Sequence, residues 1–570
     1  MKMKQNYNTF LIWALLPLLI NAVYADTAPS NIHSLLSSKN HPYFLRPYTS
    51  QEHATLKTIY QQQNNQLLWF SSEHPIQTID QLLELFTNAP EQGLNSADYA
   101  THYLKTQWQK LRRSQPDFYE FATFDTALSL TYLRYLNDLH YGRVDPEKLG
   151  FSLPEKSIIN FAMQINSAVQ TNNISGLAEH MAPNLRPYQQ LKKTLVKYRR
   201  LHQHFDQAVY FNFKQSLHPG DWSTQVSNLN YYLEALNTPL DQAIADKTQT
   251  SNIYTASIAA KVRKFQTNHS LFSDGIIGKQ TLEALNTPLS KRIIQIELAM
   301  ERLRWLPEQQ QGPIILVNIP AFQLWAYNTE QHNDVVNMRV VVGKAKNNIK
   351  GKNQEKALQT PVFTANLRYL VFSPYWNIPK SILTKEILPL VEKDSDYLQR
   401  NNMEIVAQFS HQATVLPINQ ENISRLYSGE LHLRQRPGSG NALGHIKFIF
   451  PNSHKVYLHD TPALSLFKRT QRDFSHGCIR VENPNKLAMF VLQGQPEWDD
   501  TKIHNAMTAN EPNIVNIKQS IPVLIFYTTA LVTTTGTAFY PDIYDHDSTL
   551  QSALAERSQL LTIDTLATRL

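Results

Sequence analysis

Only one cysteine, Cys478, occurs in 570 residues. No intramolecular disulfide can form, so the fold must be stabilised by packing. Long apolar runs are also missing. Beyond the N-terminus no stretch reaches the roughly 20 residues that a membrane helix requires. Clustered charge is absent too. The formal net charge is +7 and the isoelectric point near 9.0, yet the 54 Lys and Arg are dispersed. That pattern argues against a nucleic-acid partner and suits work beside an anionic wall or membrane surface. A hydrophobic content of 42% is ample for real cores, and this length predicts about two to four domains.

The chain begins with Lys2 and Lys4, an apolar run from Phe10 to Ile20, and Val23-Tyr24-Ala25 before Asp26. This is the pattern of a secretory signal peptide over residues 1–25. Retention as an uncleaved anchor is the alternative, and would be the sole membrane attachment. A free thiol in an exported chain needs a reason to be there. Cys478 sits in Ser475-His476-Gly477-Cys478-Ile479-Arg480-Val481, two residues after His476 and nineteen after His459. A thiol becomes a good nucleophile as thiolate, and a nearby imidazole is the usual activator. Alternation in Lys455-Val456-Tyr457-Leu458 predicts a strand ending at His459, a rigid place for a general base. Asn483-Pro484 predicts a helix start. Cys478 is therefore expected in a tight loop between strand and helix, with backbone N–H groups free to meet a carbonyl oxygen. Asp460 should point to the opposite face from His459, so a backbone carbonyl is expected to orient the imidazole. An inert buried cysteine and a zinc site of His459, His476 and Cys478 are the competing readings. The second lacks a fourth ligand, and no metal or cofactor is expected. Spacing alone supports a cysteine–histidine acyl-transfer site.

A histidine, fifteen residues, then Ser-His-Gly-Cys resembles the signature of the L,D-transpeptidases, cysteine enzymes that cross-link bacterial peptidoglycan. The resemblance implies Cys478 as nucleophile and His459 as base, with Ser475, His476 and Gly477 shaping the loop and oxyanion hole. Arg480 replaces the asparagine that many members carry, as in the family's large periplasmic branch, and periplasmic location follows from that likeness. Arg480, Arg436, Asn441 and Tyr457 are candidate substrate contacts. The implied reaction cleaves D-alanine from a stem tetrapeptide through a thioester and joins two diaminopimelate residues. Release to water by an L,D-carboxypeptidase or endopeptidase is the alternative on the same site, and a non-catalytic wall-binding protein is the rival of another class. The implied partners are peptidoglycan stem peptides, with glycan-strand synthases and D,D-carboxypeptidases as candidate protein partners.

The remaining chain reads as an α+β multidomain protein. Residues 26–50 suggest a flexible lead-in. Residues 51–217 carry helical periodicity, as in Ile79–Phe86 and Leu128–Leu136, with Gly93 and Pro146 as stops. The polar turn of Asp138, His140, Gly142 and Arg143 resembles a structural piece of the same branch's scaffold domain. Residues 218–290 carry Phe265-Gln266, Asp274-Gly275-x-x-Gly278 and Thr281-Leu282-x-x-Leu285-Asn286. That series resembles the small three-helix peptidoglycan-binding domain, with Gly275 at positive φ and Gly278 allowing close helix packing. After a helix from Ile293 to Leu306, short strands starting at Ile314 resemble the mostly-β catalytic domain, expected over 291–548. The basic loop 344–356 is expected to be solvated. An insertion at about 380–435 sits where a lid would, and the family's large branch has a capping subdomain there. The glycines of Arg436–Gly444 are expected to bring backbone near substrate or to form a plain flexible hinge. Strands at 521–527 and 538–540 and a closing helix or frayed tail at 549–570 follow.

Overall fold

Apolar residues at three- and four-residue spacing build the first part of the protein, and alternation with period two builds the second. The computed structural model describes residues 28–561 except 45, 71–74, 206–209, 240–241, 243–250, 308–310, 331–334 and 346–357. The expected signal peptide and most of the basic loop lie outside the described residues. The chain forms two compact units: residues 1–309 with 529–540 and 545–570, and residues 310–528 with 541–544.

The first unit is helical. Its centre is the 24-residue helix Phe118–Tyr141, started by a capping box between Asp117 and Glu120. Nearly every side chain of this helix is buried, including the carboxylate of Asp125. Asp125 accepts hydrogen bonds from Tyr60 Oη at 2.6 Å and from the Leu68 and Trp69 amides at 3.0 and 2.8 Å. The stretch expected to be a flexible lead-in is instead ordered over the helix Ala28–Ser37. Ile32, Leu35 and Leu36, spaced three and four apart, are buried there. The polar turn after the long helix is structural. Asp138 accepts from Tyr99 Oη at 2.9 Å and from Arg557 at 2.6 Å, while Arg143 pairs with Glu301. A Cβ at Gly142 would lie 2.7 Å from Trp305 Nε1.

In the second module, helices Val226–Asn237, Ala256–Asn268 and Lys279–Leu285 pack around Gln266. Its side-chain amide reaches Asp274, the Ile276 carbonyl and Thr281, and accepts from the Gly275 amide. Two separated parts of the motif, the Asp-Gly turn and Thr281, thus meet at one buried residue. Gly275 has φ +77, as the Asp-Gly turn demands, but Gly278 is not a close-packing site. It precedes the helix Lys279–Leu285, and an added Cβ would meet only Ser216 Oγ at 3.9 Å. The helix Leu289–Arg304 belongs to this first unit, burying Glu301, Arg302 and Arg304. So do the hairpin of Ala530–Thr533 with Gly536–Phe539 and the helix His546–Leu561. The segment expected as a last catalytic strand, 538–540, thus joins the helical unit. The Phe539 ring packs on Tyr198 and under Arg292. The units therefore divide the chain near 310 and 529, where boundaries at 291 and 548 were expected.

The second unit is built on a mixed sheet. Its strands are β1 (Pro313–Asn318), β2 (Gln323–Asn328), β3 (Val336–Gly343), β4 (Phe363–Phe372), β9 (Ile446–Ile449), β10 (Leu458–His459), β11 (Asp473–Ser475), β12 (Ile479–Val481) and β13 (Asn513–Phe526). The order is β11-β3-β12-β10-β9-β4-β13-β1-β2, and β2 pairs back to β3. Eight strands thereby close on themselves and β11 attaches parallel to β3, which removes most free edges. Alternation decides what lies inside. Val340, Leu370, Phe448, Leu458, Ile479 and Val481 are fully buried, and their strand partners are one another.

The insertion is a subdomain with its own small sheet, β5 (Trp376–Asn377), β6 (Met403–Val406), β7 (Val415–Leu416) and β8 (His432–Gln435), in the order β5-β8-β6-β7. Ile378, Leu383, Leu388, Leu398, Ile405 and Leu433 are among its core residues. Its first helix contains a π turn over Leu383–Ile387. Pro389 follows two residues later. Without an N–H and with a ring that would strike the carbonyl four residues back, it explains why the helix widens there.

Candidate active site

Strand register assembles the site. His459 in β10 pairs with Arg480 in β12 on one side and with Lys447 in β9 on the other. Paired residues project to one face of a sheet, as do residues two apart on one strand. Lys447, His459 and Arg480 therefore form one row, and Tyr457 and Cys478 stand beside it on the same face. That face lies opposite to the barrel core of Leu458, Ile479 and Phe448. Cys478 precedes β12 by one residue, so the register sets it beside the strand that carries His459. The loop lies between two short strands, β11 and β12, and not between strand and helix; the helix Pro484–Val491 comes after β12.

His459 is buried, and its Nδ1 lies 2.6 Å from the Asp460 carbonyl. A carbonyl only accepts, so Nδ1 carries the proton and Nε2 is the basic nitrogen of the neutral ring. The expected backbone orienter is present, and the Asp460 carboxylate turns away to accept from the His445 amide at 2.8 Å. Burial, then the neighbouring Arg480 cation, lowers the His459 pKa to about 3. Cys478 is partly buried, with Sγ 4.0 Å from the Lys455 carbonyl. Burial pushes its thiol up, while hydrogen bonds from Tyr457 and the charges of Lys447 and Arg480 pull it down. Burial and the neighbouring Cys478 raise the Tyr457 hydroxyl well above its ordinary range.

The Cys478 loop is fastened from below. Ser475 Oγ donates to the Cys478 carbonyl at 2.5 Å and accepts from the Gly477 amide at 3.1 Å. Thr360 Oγ1 donates to the Gly477 carbonyl at 2.8 Å and accepts from the Gly343 amide at 2.9 Å. Tyr544 Oη donates to the Gly343 carbonyl at 2.6 Å. Gly477 has φ +109, open to glycine alone. Because Ser475 occupies the Gly477 N–H, an oxyanion hole made from both amides of the Gly477–Cys478 pair is not available. The Cys478 N–H has no partner among the described residues. His476 turns away from the sheet row to meet Glu386 of the capping subdomain, Nε2 to Oε1 at 2.5 Å.

Two candidate substrate contacts are committed elsewhere. Asn441 is 2% exposed, and its amide binds the Pro374 and Arg436 carbonyls and the Leu443 amide. It braces the loop and leaves nothing for a substrate. Arg436 does meet a carboxylate, that of Glu404 at 2.6 Å, shared with Arg434. Gly444, expected to admit substrate, admits Asp460: an added Cβ would fall 2.3 Å from Oδ2. Tyr457 touches the thiol itself. Arg480 stays on the working face, its Nε buried without a partner among the described residues. Sequence reading missed Lys447, Thr360 and Glu386. Lys447 alternates with buried Ile446 and Phe448, a signal in the sequence that it faces outward; the other two carry no local signal.

Fold and site together define a mostly-β catalytic domain arranged around a Ser-His-Gly-Cys loop. Comparison with known families agrees: residues 312–498 match the L,D-transpeptidase catalytic domain, residues 54–195 the scaffold domain, and residues 223–285 the family described as "Putative peptidoglycan binding domain". The chain thus carries a match to the L,D-transpeptidase catalytic domain together with matches to a scaffold domain and a peptidoglycan-binding-type domain in one polypeptide. A curated relative from Haemophilus influenzae, "Putative L,D-transpeptidase", is 31% identical over 289 residues, covering 50% of this chain and 55% of that protein. The chain thus spans about half the length of the curated relative it matches. A solved L,D-transpeptidase from Xylanimonas cellulosilytica is 14% identical, aligned over 55% of this chain and all of that one. Its TM-score of 0.18 carries no argument about the fold.

Proposed function

We propose that the protein is a peptidoglycan L,D-transpeptidase that cross-links diaminopimelate residues of stem peptides through a thioester on Cys478. The observation that supports this most is the shared sheet face of Cys478 and His459, with the imidazole tautomer set by Asp460. In this reading His459 Nε2 takes the thiol proton and Sγ bonds to the carbonyl carbon of diaminopimelate. The Cys478 N–H faces the developing oxyanion. His459 returns the proton to the departing amine as the C–N bond breaks and D-alanine leaves. The side-chain amine of a second stem then attacks the thioester; its C–S bond breaks, and the amine proton passes through His459 to sulfur. Arg480 is the candidate partner for a substrate carboxylate. Export to the periplasm accompanies this function, supported by the charged and apolar N-terminal pattern.

The test is incubation of the purified protein with disaccharide-tetrapeptides, followed by mass analysis. The expected products are a cross-linked dimer and one D-alanine per bond, both absent with Cys478→Ala. Free tripeptide without dimer would establish a carboxypeptidase and overturn the proposal. So would turnover that survives in the Cys478→Ala protein.

A further inference from the structure

On the working face, two cations stand beside the sulfur without a carboxylate to pair with. Lys447 lies opposite His459 in β9, its Nζ 4.4 Å from the centre of the Tyr457 ring. Arg480 lies opposite His459 in β12. Among the described residues neither forms an ion pair, and the Arg480 Nε is buried unpartnered. Desolvated charges left without a counter-charge are destabilising, and an anion formed beside them relieves that cost. The nearest group able to become that anion is Cys478, whose charge acts on both Lys447 and Arg480.

The other groups facing the sulfur do not supply positive charge. From β10 come Tyr457, a neutral hydroxyl, and His459, held neutral by its surroundings. From the loop comes His476, which is turned to Glu386. The Asp460 carboxylate points to the opposite face.

We propose that Lys447 is a positioning residue whose ammonium, together with the Arg480 guanidinium, stabilises the negative charge that forms on Cys478 as His459 takes its proton. The charge left on Sγ then sits beside the two cations. This rests on the proposed role of Cys478 as nucleophile and adds the groups that steady its charge.

The test reads the thiol without peptidoglycan. The rate of alkylation of Cys478 by iodoacetamide is measured against pH in the full-length protein, with Lys447→Met and Lys447→Arg, each checked for an unchanged melting profile. Removing a cation at this range shifts an ionisation by about one pH unit or more. The midpoint for Lys447→Met should therefore rise by about one unit, and its rate at pH 7 fall roughly tenfold. Lys447→Arg should restore most of both. An unchanged midpoint in a folded Lys447→Met protein would overturn the proposal, even if its KM for stem peptides rose, since Lys447 would then contact substrate only. The outcome is separable from the proposed function: a shifted midpoint in a protein that makes no dimers would leave the thiolate role standing while the transpeptidase reading fell.

Discussion

Replacing Thr360 with valine changes one hydroxyl for a methyl of similar size, deep beneath the nucleophile loop. The hydroxyl serves two buried backbone groups, accepting from the Gly343 N–H at 2.9 Å and donating to the Gly477 carbonyl at 2.8 Å. Valine leaves both without that partner. Each buried group left without a partner costs about 1–3 kcal/mol, so the expected loss is about 2–6 kcal/mol. For a unit of this size each kcal/mol lowers the midpoint by about 2–4 °C, which gives a drop of about 4–24 °C. Calorimetry on the whole chain would register it in the transition of the catalytic unit alone. The Gly477 carbonyl belongs to the peptide that carries the Cys478 N–H, so the variant should also acylate Cys478 more slowly below its melting range. Thr360→Ser, which keeps both hydrogen bonds, should recover most of the stability. A Thr360→Val protein that melts within about 1 °C of wild type would refute the idea that this hydroxyl fastens the loop.

Gln266→Leu should destabilise the second helical module by about 1–3 kcal/mol, because the Gly275 N–H loses its partner while the Ile276 carbonyl keeps only Thr281 Oγ1 at 3.4 Å; hydrogen exchange confined to 256–285 would show it. Glu386→Gln should leave global stability within about 1 kcal/mol, since its pair with His476 is solvent-exposed, yet hasten exchange in the 380–391 helix. Stability should fall on acidification below pH 6.5. His41, His269 and His459 have pKa values lowered to about 3, so between pH 6.5 and 3 the unfolded chain binds more protons. Denaturant midpoints measured from pH 7 to 4 should decrease steadily, and His459→Gln should lessen the slope in the catalytic unit. A flat profile would contradict the neutral burial of these rings.

The layout of the candidate site was legible because its elements are local: a Ser-His-Gly-Cys turn, a strand ending in histidine, and the alternation that sets His459 apart from Leu458 and Asp460. Turn and periodicity signals act over a few residues, so they survive in a linear reading. The same holds for the Asp-Gly turn around Gly275 and for the helical spacing of Leu82, Leu83 and Phe86. Such signals misled where a residue's partner lies far along the chain. Asn441 looked available until Pro374 and Arg436 closed on its amide, and Gly444 proved to be shaped by Asp460.

What a one-dimensional reading determined, then, was which residues can do chemistry and which period each segment follows. Only the closed sheet decided which of them meet. Register across β9, β10 and β12 brings Lys447, His459 and Arg480 into one row from positions up to 33 residues apart. It also carries Thr360 to Gly477 across 117 residues. Those pairings are set by burial of Leu458, Ile479 and Phe448 on the opposite face. A slip of one residue would turn the core outward and dissolve the site with it.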